Sequence, residues 1–167
     1  MAMRPTAAAL RETLFNLIGP DIVGCRFLDL CAGSGSVGIE ALSRGAEGAL
    51  FVDNHPAAIA LIRRNLGALD LEGRARVLRR DAVRALAEFE RRGDAFDEVF
   101  LDPPYDSDTA VRCLRSPRWR AIIRARARIF VEHRGVLVVP AVAGWVSTDC
   151  RKFGDTLLTV LRRVEEK

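Results

Sequence analysis

The spacing of apolar positions changes along the chain, and each change marks an element. Between Thr6 and Ile18 the residues Leu10, Leu14, Phe15, Leu17 and Ile18 recur at helical intervals, which predicts an amphipathic helix. Arg26 to Cys31 (RFLDLC) is a short apolar run, the pattern of a buried strand. Ala32-Gly33-Ser34-Gly35-Ser36 follows, then a helix through Val37, Ile39, Ala41 and Leu42 that stops at Gly45. Gly48 to Asp53 (GALFVD) is a second strand, and Pro56 suits the first turn of a helix running to about Leu69. Arg74 to Arg79 is a third strand, Ala82 to Arg92 a helix, and Phe96 to Leu101 (FDEVFL) a fourth strand. Strands alternating with helices predict a parallel α/β sheet with right-handed crossovers. Further on, 106–127 reads as helical with an interruption at Pro117. Ile129 to Val139 carries strand material on both sides of Gly135, and Gly144 to Arg163 reads as two strands joined at Gly154-Asp155.

With 167 residues, 49% of them hydrophobic, the chain fits one domain spanning 1–167 with a sizeable core. No apolar stretch reaches the ~20 residues needed to span a bilayer, and Arg4, Pro5, Arg11 and Glu12 break up the N-terminus too often for a signal peptide. Cys25, Cys31, Cys113 and Cys150 are scattered without a CxxC pair, so reduced thiols in a cytoplasmic protein are expected, with no metal. The net charge of +4 favours a nucleic-acid partner over an acidic small molecule. Almost all of the basic residues are arginine, whose planar fork suits phosphate.

Gly33-x-Gly35-x-x-Gly38 lies between a strand and a helix, with Asp53 twenty residues beyond Gly33 at the end of the next strand. That is the dinucleotide fingerprint, and alone it does not separate a nicotinamide cofactor from S-adenosylmethionine. Two acids weigh for the latter. Asp29, inside the first strand, suits a cationic sulfonium and ammonium ligand and would repel a pyrophosphate. Asp81, at the end of the third strand, is placed to accept from an adenine amino group. Asp29, Asp53, Asp81 and Asp102 then fall at or near the C-terminal ends of successive strands, the edge where open α/β sheets bind ligands.

Asp102-Pro103-Pro104-Tyr105 closes the fourth strand, and Tyr105 is the only tyrosine. Proline fixes φ and removes backbone donors, so the turn offers a carboxylate and carbonyl oxygens without competing N–H groups. Such acceptors suit the exocyclic amine of a nucleobase. Tyr105 is positioned to stack on that ring, a contact worth roughly 1–3 kcal/mol.

These residues carry a resemblance. The chain resembles the class I S-adenosylmethionine-dependent methyltransferases, and within them the bacterial RsmD family, guanine-N2 methyltransferases of small-subunit (16S) ribosomal RNA. The matching segments are Arg4-Pro5-Thr6, Arg11 to Asn16, Asp29 to Gly38, Glu40 to Gly45, Asp102 to Tyr105, Val131-Glu132-His133 and Arg151 to Thr156. The resemblance implies a Rossmann-like, seven-stranded, mostly parallel sheet with helices on both faces and an antiparallel last strand. It implies cofactor contacts from Asp29, Gly33, Gly35, Asp53 and Asp81, with Ala32, Ser34, Asn54 and Ala82 beside them, and a base-binding turn of Asp102, Pro103, Pro104 and Tyr105. The partner it implies is ribosomal RNA or a small-subunit assembly particle, and a monomer is expected. The family's additional N-terminal hairpin is expected to be lacking. Ala7, Ala8 and Ala9 stand where an Asp-Arg pair is usual, and His55 where an acid is common.

The expected chemistry is direct methyl transfer, with Asp102 and the Pro103 carbonyl orienting the amine. Orientation of this kind supplies up to about 7–11 kcal/mol. Seven arginines after the tetrad (Arg112, Arg115, Arg118, Arg120, Arg124, Arg126, Arg128) are the candidate phosphate face. Trp119 and His133 are expected to pack rather than react. Three other readings remain open. One is methylation of adenine N6 or another nucleic-acid amine; another is a non-catalytic RNA-binding or ribosome-assembly module; the last is a nicotinamide-dependent enzyme.

Overall fold

The computed structural model describes residues 5–105, 107–135 and 144–164. The side chains of Pro5 and Thr6, the rest of the Arg4-Pro5-Thr6 segment and the strand expected from 136 to Val139 lie outside the described residues. The elements are α1 (Pro5–Ile18), β1 (Arg26–Leu30), α2 (Ser36–Ser43), β2 (Gly48–Asp53), α3 (Pro56–Ala68), β3 (Ala75–Arg79), α4 (Ala82–Arg92), β4 (Phe96–Leu101), α5 (Thr109–Leu114), α6 (Trp119–Ile122), β5 (Ile123–Arg134), β6 (Trp145–Phe153) and β7 (Thr156–Arg163). They form one seven-stranded sheet in the order β3-β2-β1-β4-β5-β7-β6. β1 to β5 run parallel, and β7 lies antiparallel between β5 and β6.

Strand alternation divides the core between the two faces of the sheet. Phe27, Phe51, Phe100 and Phe130 point to one face and pack on Leu14 and Phe15 of α1, Leu42 of α2 and Ile62 and Leu66 of α3. Leu28, Val52, Val99, Leu101 and Val131 point to the other, against Leu86 and Phe89 of α4, Cys113 of α5 and Trp119 of α6. Parallel strands buried on both faces read as continuous apolar runs, which is why the sequence marks β1, β2 and β4 so clearly. Trp119 is fully buried and donates its indole N–H to the Cys113 carbonyl at 2.7 Å, so it packs as expected.

The helix expected over 106–127 is a correction. Among the described residues only two short helices form there, and β5 already begins at Ile123. Pro117 has no N–H to continue a helix. Beyond Ile122, Arg124-Ala125-Arg126-Ala127-Arg128 alternates with the period of a strand. Its arginines meet acids of the neighbouring strand: Arg128 stands opposite Glu98 in the register, and Arg124 bonds Asp97 at 3.0 Å.

The same pairing corrects the phosphate face. The Arg128 guanidinium is bound by Glu98 at 2.6 Å and donates to the Leu17 carbonyl at 2.9 Å, tying the end of α1 to the sheet. Arg118 pairs with Glu90, and Arg112 lies 3.9 Å from Asp108. Arg124, Arg126 and Arg128 occupy the start of β5, the end of the sheet remote from Asp102. Arg112, Arg118, Arg124 and Arg128 are thus engaged by acids rather than set out as a phosphate face.

Candidate active site

The loop after β1 is shaped by its backbone. Cys31 has φ of 66°, uncommon for a residue with a Cβ, and Gly35 turns the chain into α2 with φ of 79°. Gly38 lets α2 lie on the sheet, because a Cβ there would stand 2.4 Å from the Phe51 ring. Asp29 is on the face of β1 that α2 covers. It is buried, and its Oδ2 accepts the Gly38 N–H at 3.0 Å. Burial pushes its carboxyl up to about 7.

The loop's donors are engaged within the protein. The Gly33 N–H donates to Asp53 Oδ2 at 2.9 Å and the Gly35 N–H to the Ala32 carbonyl at 2.9 Å. Asp53 Oδ1 accepts the His55 N–H at 2.9 Å and lies 3.0 Å from His55 Nδ1. Asp81 caps α4, its Oδ1 accepting the Arg84 N–H at 3.1 Å, which leaves its other oxygen free of that bond.

A cavity of about 410 Å³ opens at the C-terminal edge of the strands, where the connections leaving the parallel neighbours β1 and β4 run to opposite sides of the sheet. Gly33, Asp53, Asn54, Asp81, Ala82 and the whole Asp102-Pro103-Pro104-Tyr105 turn line it. Asp29, Ala32, Ser34 and Gly35 do not; they form the loop and strand end behind it. Cys31, Val52, His55, Arg80 and Thr109 also line the cavity, and sequence reasoning gave none of them a role. Burial pushes the Cys31 thiol up, so it stays protonated and unreactive.

β5 supplies the other residues sequence reasoning missed. Leu101 and Val131 are register partners, so the next step along both strands sets Asp102 beside Glu132. The two carboxyls contact each other. Tyr105 Oη donates to Glu132 Oε1 at 3.4 Å, and the Arg134 guanidinium lies 4.3 Å from the centre of the Tyr105 ring. Burial, then the neighbouring Glu132, raises Asp102 well above the ordinary carboxylate range, and burial raises Glu132 as well. Two carboxyls in contact favour sharing one proton. The Val131-Glu132-His133 segment was visible in the sequence, but its nearness to the tetrad depends on strand register. His133 is buried, with Nε2 2.7 Å from Thr159 Oγ1, a packing role as expected.

Residues 1–162 match a family model described as "Conserved hypothetical protein 95". A Bacillus subtilis protein named "Putative rRNA methyltransferase YlbH" is 38% identical over 161 residues, covering 96% of this chain and 88% of that protein. "Ribosomal RNA small subunit methyltransferase D" of Escherichia coli K12 is 38% identical over 145 residues, 83% of this chain and 70% of the relative. The solved structure "Putative methyltransferase yhhF from Escherichia coli" superposes with a TM-score of 0.85 at 33% identity, covering 99% of this chain and 90% of that one.

Proposed function

Because this chain belongs to the Conserved hypothetical protein 95 family, the RsmD family, we propose that it methylates the exocyclic N2 amine of a guanine in small-subunit ribosomal RNA, with S-adenosylmethionine as donor. The observation that carries this reading is the Asp102-to-Tyr105 turn forming one wall of a cavity whose other walls bear Asp53 and Asp81.

The residues present fit the proposed cofactor. The cavity collects carboxylates, which favour a sulfonium and an ammonium and oppose a pyrophosphate. Of the loop N–H groups, Gly33 is already bonded to Asp53 and Gly35 to the Ala32 carbonyl. Asp53 is placed for ribose hydroxyls and Asp81 for the adenine amino group. When bound, the cofactor supplies an electrophilic methyl group.

The amine of guanine is a poor nucleophile because its lone pair is delocalised into the ring. Asp102 and the Pro103 carbonyl accept its two N–H bonds and turn the lone pair toward the methyl carbon, so orientation is the main lever. The proton lost from nitrogen passes to the Asp102 carboxylate. Tyr105 is 49% exposed, with Arg134 on one face of its ring, so the other face receives the base. Arg80, on the cavity rim and 3.3 Å from Glu88, and Arg84 line with Glu88 and Glu90 a hollow next to the cavity, and these two arginines are the phosphate contacts assigned beside it.

Calorimetry with S-adenosylhomocysteine and with NAD tests the cofactor. Micromolar binding of the former alone is expected; binding of NAD alone would overturn the reading. D102A should bind S-adenosylhomocysteine normally and transfer no methyl group to small subunits from cells lacking the activity.

A further inference from the structure

Glu132 is half-buried at the end of β5, in contact with Asp102 and bonded to the Tyr105 hydroxyl. Phe130 points to the face of the sheet that carries Phe100, so Asp102 and Glu132, each two residues further along its strand, project to that same face. A carboxylate needed only to hold Tyr105 would not have to lie against Asp102, where like charges oppose each other. Asp29 is close enough to raise Asp102 further, and Arg134 faces the Tyr105 ring rather than the carboxyl pair. Among the described residues, no cation therefore offsets the pair. Once it gives up the shared proton, it is a double acceptor at the place where a base would enter.

Base chemistry supplies a match. In guanine the exocyclic amine stands next to N1–H, so the edge offers adjacent donors. In adenine and cytosine the ring nitrogen beside the amine on the pairing edge is an acceptor. We propose that Glu132 is the specificity-determining residue of this site, accepting guanine N1–H while Asp102 accepts an N2–H. This rests on the purine-amine reading of the site and sharpens it. Guanine's two donors replace the proton that the carboxyls share in the free protein, which is released to solvent. Adenine would turn its N1 lone pair toward Glu132 and be repelled by the fully ionised pair that guanine's two donors select. In the transfer step N2 forms a bond to the methyl carbon as the carbon–sulfur bond breaks. The thioether leaves with that electron pair, and one N2 proton goes to Asp102. Glu132 keeps the N1–H bond throughout.

The test uses 2-aminopurine, which keeps the amine but has no N1–H. Small subunits are reconstituted with 16S RNA carrying guanine or 2-aminopurine at the position methylated by the wild-type protein, and kcat/KM is measured for each. Wild type should prefer guanine by on the order of 10–100-fold, the range for losing a hydrogen bond to a charged group. E132Q, whose amide both donates and accepts, should lose activity on guanine and bring the ratio to within about threefold of one. It should bind S-adenosylhomocysteine as wild type does, which also reports that it is folded. Equal wild-type rates on the two bases would overturn the proposal without any variant, as would an E132Q ratio equal to that of wild type. Methyl groups found on adenine would instead overturn the guanine reading itself.

Discussion

Replacing Gly38 with alanine sets two physical effects against each other. Gly38 lies inside α2, where an alanine ordinarily stabilises a helix by about 1 kcal/mol. Here the new Cβ would stand 2.4, 2.8 and 3.1 Å from Cε1, Cζ and Cδ1 of Phe51. Phe51 is fully buried in the same cluster as Ile62 and Leu66, so the ring has no space to yield into. Overpacking of this kind costs about 1–3 kcal/mol, and contacts this short belong at the upper end. The net loss is then about 2 kcal/mol, which lowers the melting temperature by roughly 4–8 °C in a chain of this length. Moving α2 outward also stretches the bond from the Gly38 N–H to Asp29, so affinity for S-adenosylhomocysteine should fall with stability. Thermal unfolding of G38A, F51L and the double variant checks the cause. Leucine lacks the ring edge that makes the clash, so the double variant should lose at least about 0.5 kcal/mol less than the two singles together. A G38A protein as stable as wild type or more so, or strict additivity, would refute the packing argument.

R128A leaves Glu98 buried without its partner and should cost about 3–5 kcal/mol in denaturant unfolding, a loss that R128K only partly restores. Asp29 is held up to about 7 in the folded protein against 3.8 ordinarily, so the unfolded chain ionises first and stability falls as pH rises through that window. D29N still offers an oxygen to the Gly38 N–H. It should gain on wild type between about pH 4 and pH 7, by on the order of 4 kcal/mol at most, and pH-dependent melting curves would show a constant gap if burial of the charge were unimportant. Arg80 lines the cavity and Arg84 the adjoining hollow, so R80E/R84E should weaken binding of small subunits and lower the slope of log affinity against log salt by about 2, with S-adenosylhomocysteine affinity little changed.

The parts of the fold legible in the sequence are those where local pattern and final environment agree. β1, β2 and β4 are buried on both faces and read as apolar runs, and Pro56, Asp81 and Gly35 mark helix starts by backbone and capping chemistry. The Arg124-to-Ala127 stretch was misread as helix because the acids that meet it and the following Arg128, Asp97 and Glu98, are distant in sequence and reach them only by strand pairing. The same ion pairs made a string of arginines look like a phosphate surface. In the site, Asp53, Asp81 and the Asp102-to-Tyr105 turn were legible because strand ends in a parallel sheet converge on one edge. The Val131-Glu132-His133 segment was visible, but the place of Glu132 in the site was not, since only the Leu101–Val131 register brings it to Asp102. Arg80 and Thr109 reach the cavity from neighbouring segments for the same reason.

The central claim is that the Asp102-to-Tyr105 turn presents a guanine amine to a methyl donor. Small subunits from cells lacking the activity, incubated with the purified protein and labelled S-adenosylmethionine, can be digested to nucleosides and read by mass spectrometry. The account predicts N2-methylguanosine at one site in the 16S RNA, absent with D102A. Label in N6-methyladenosine, or no label in RNA while S-adenosylhomocysteine still binds, would contradict it.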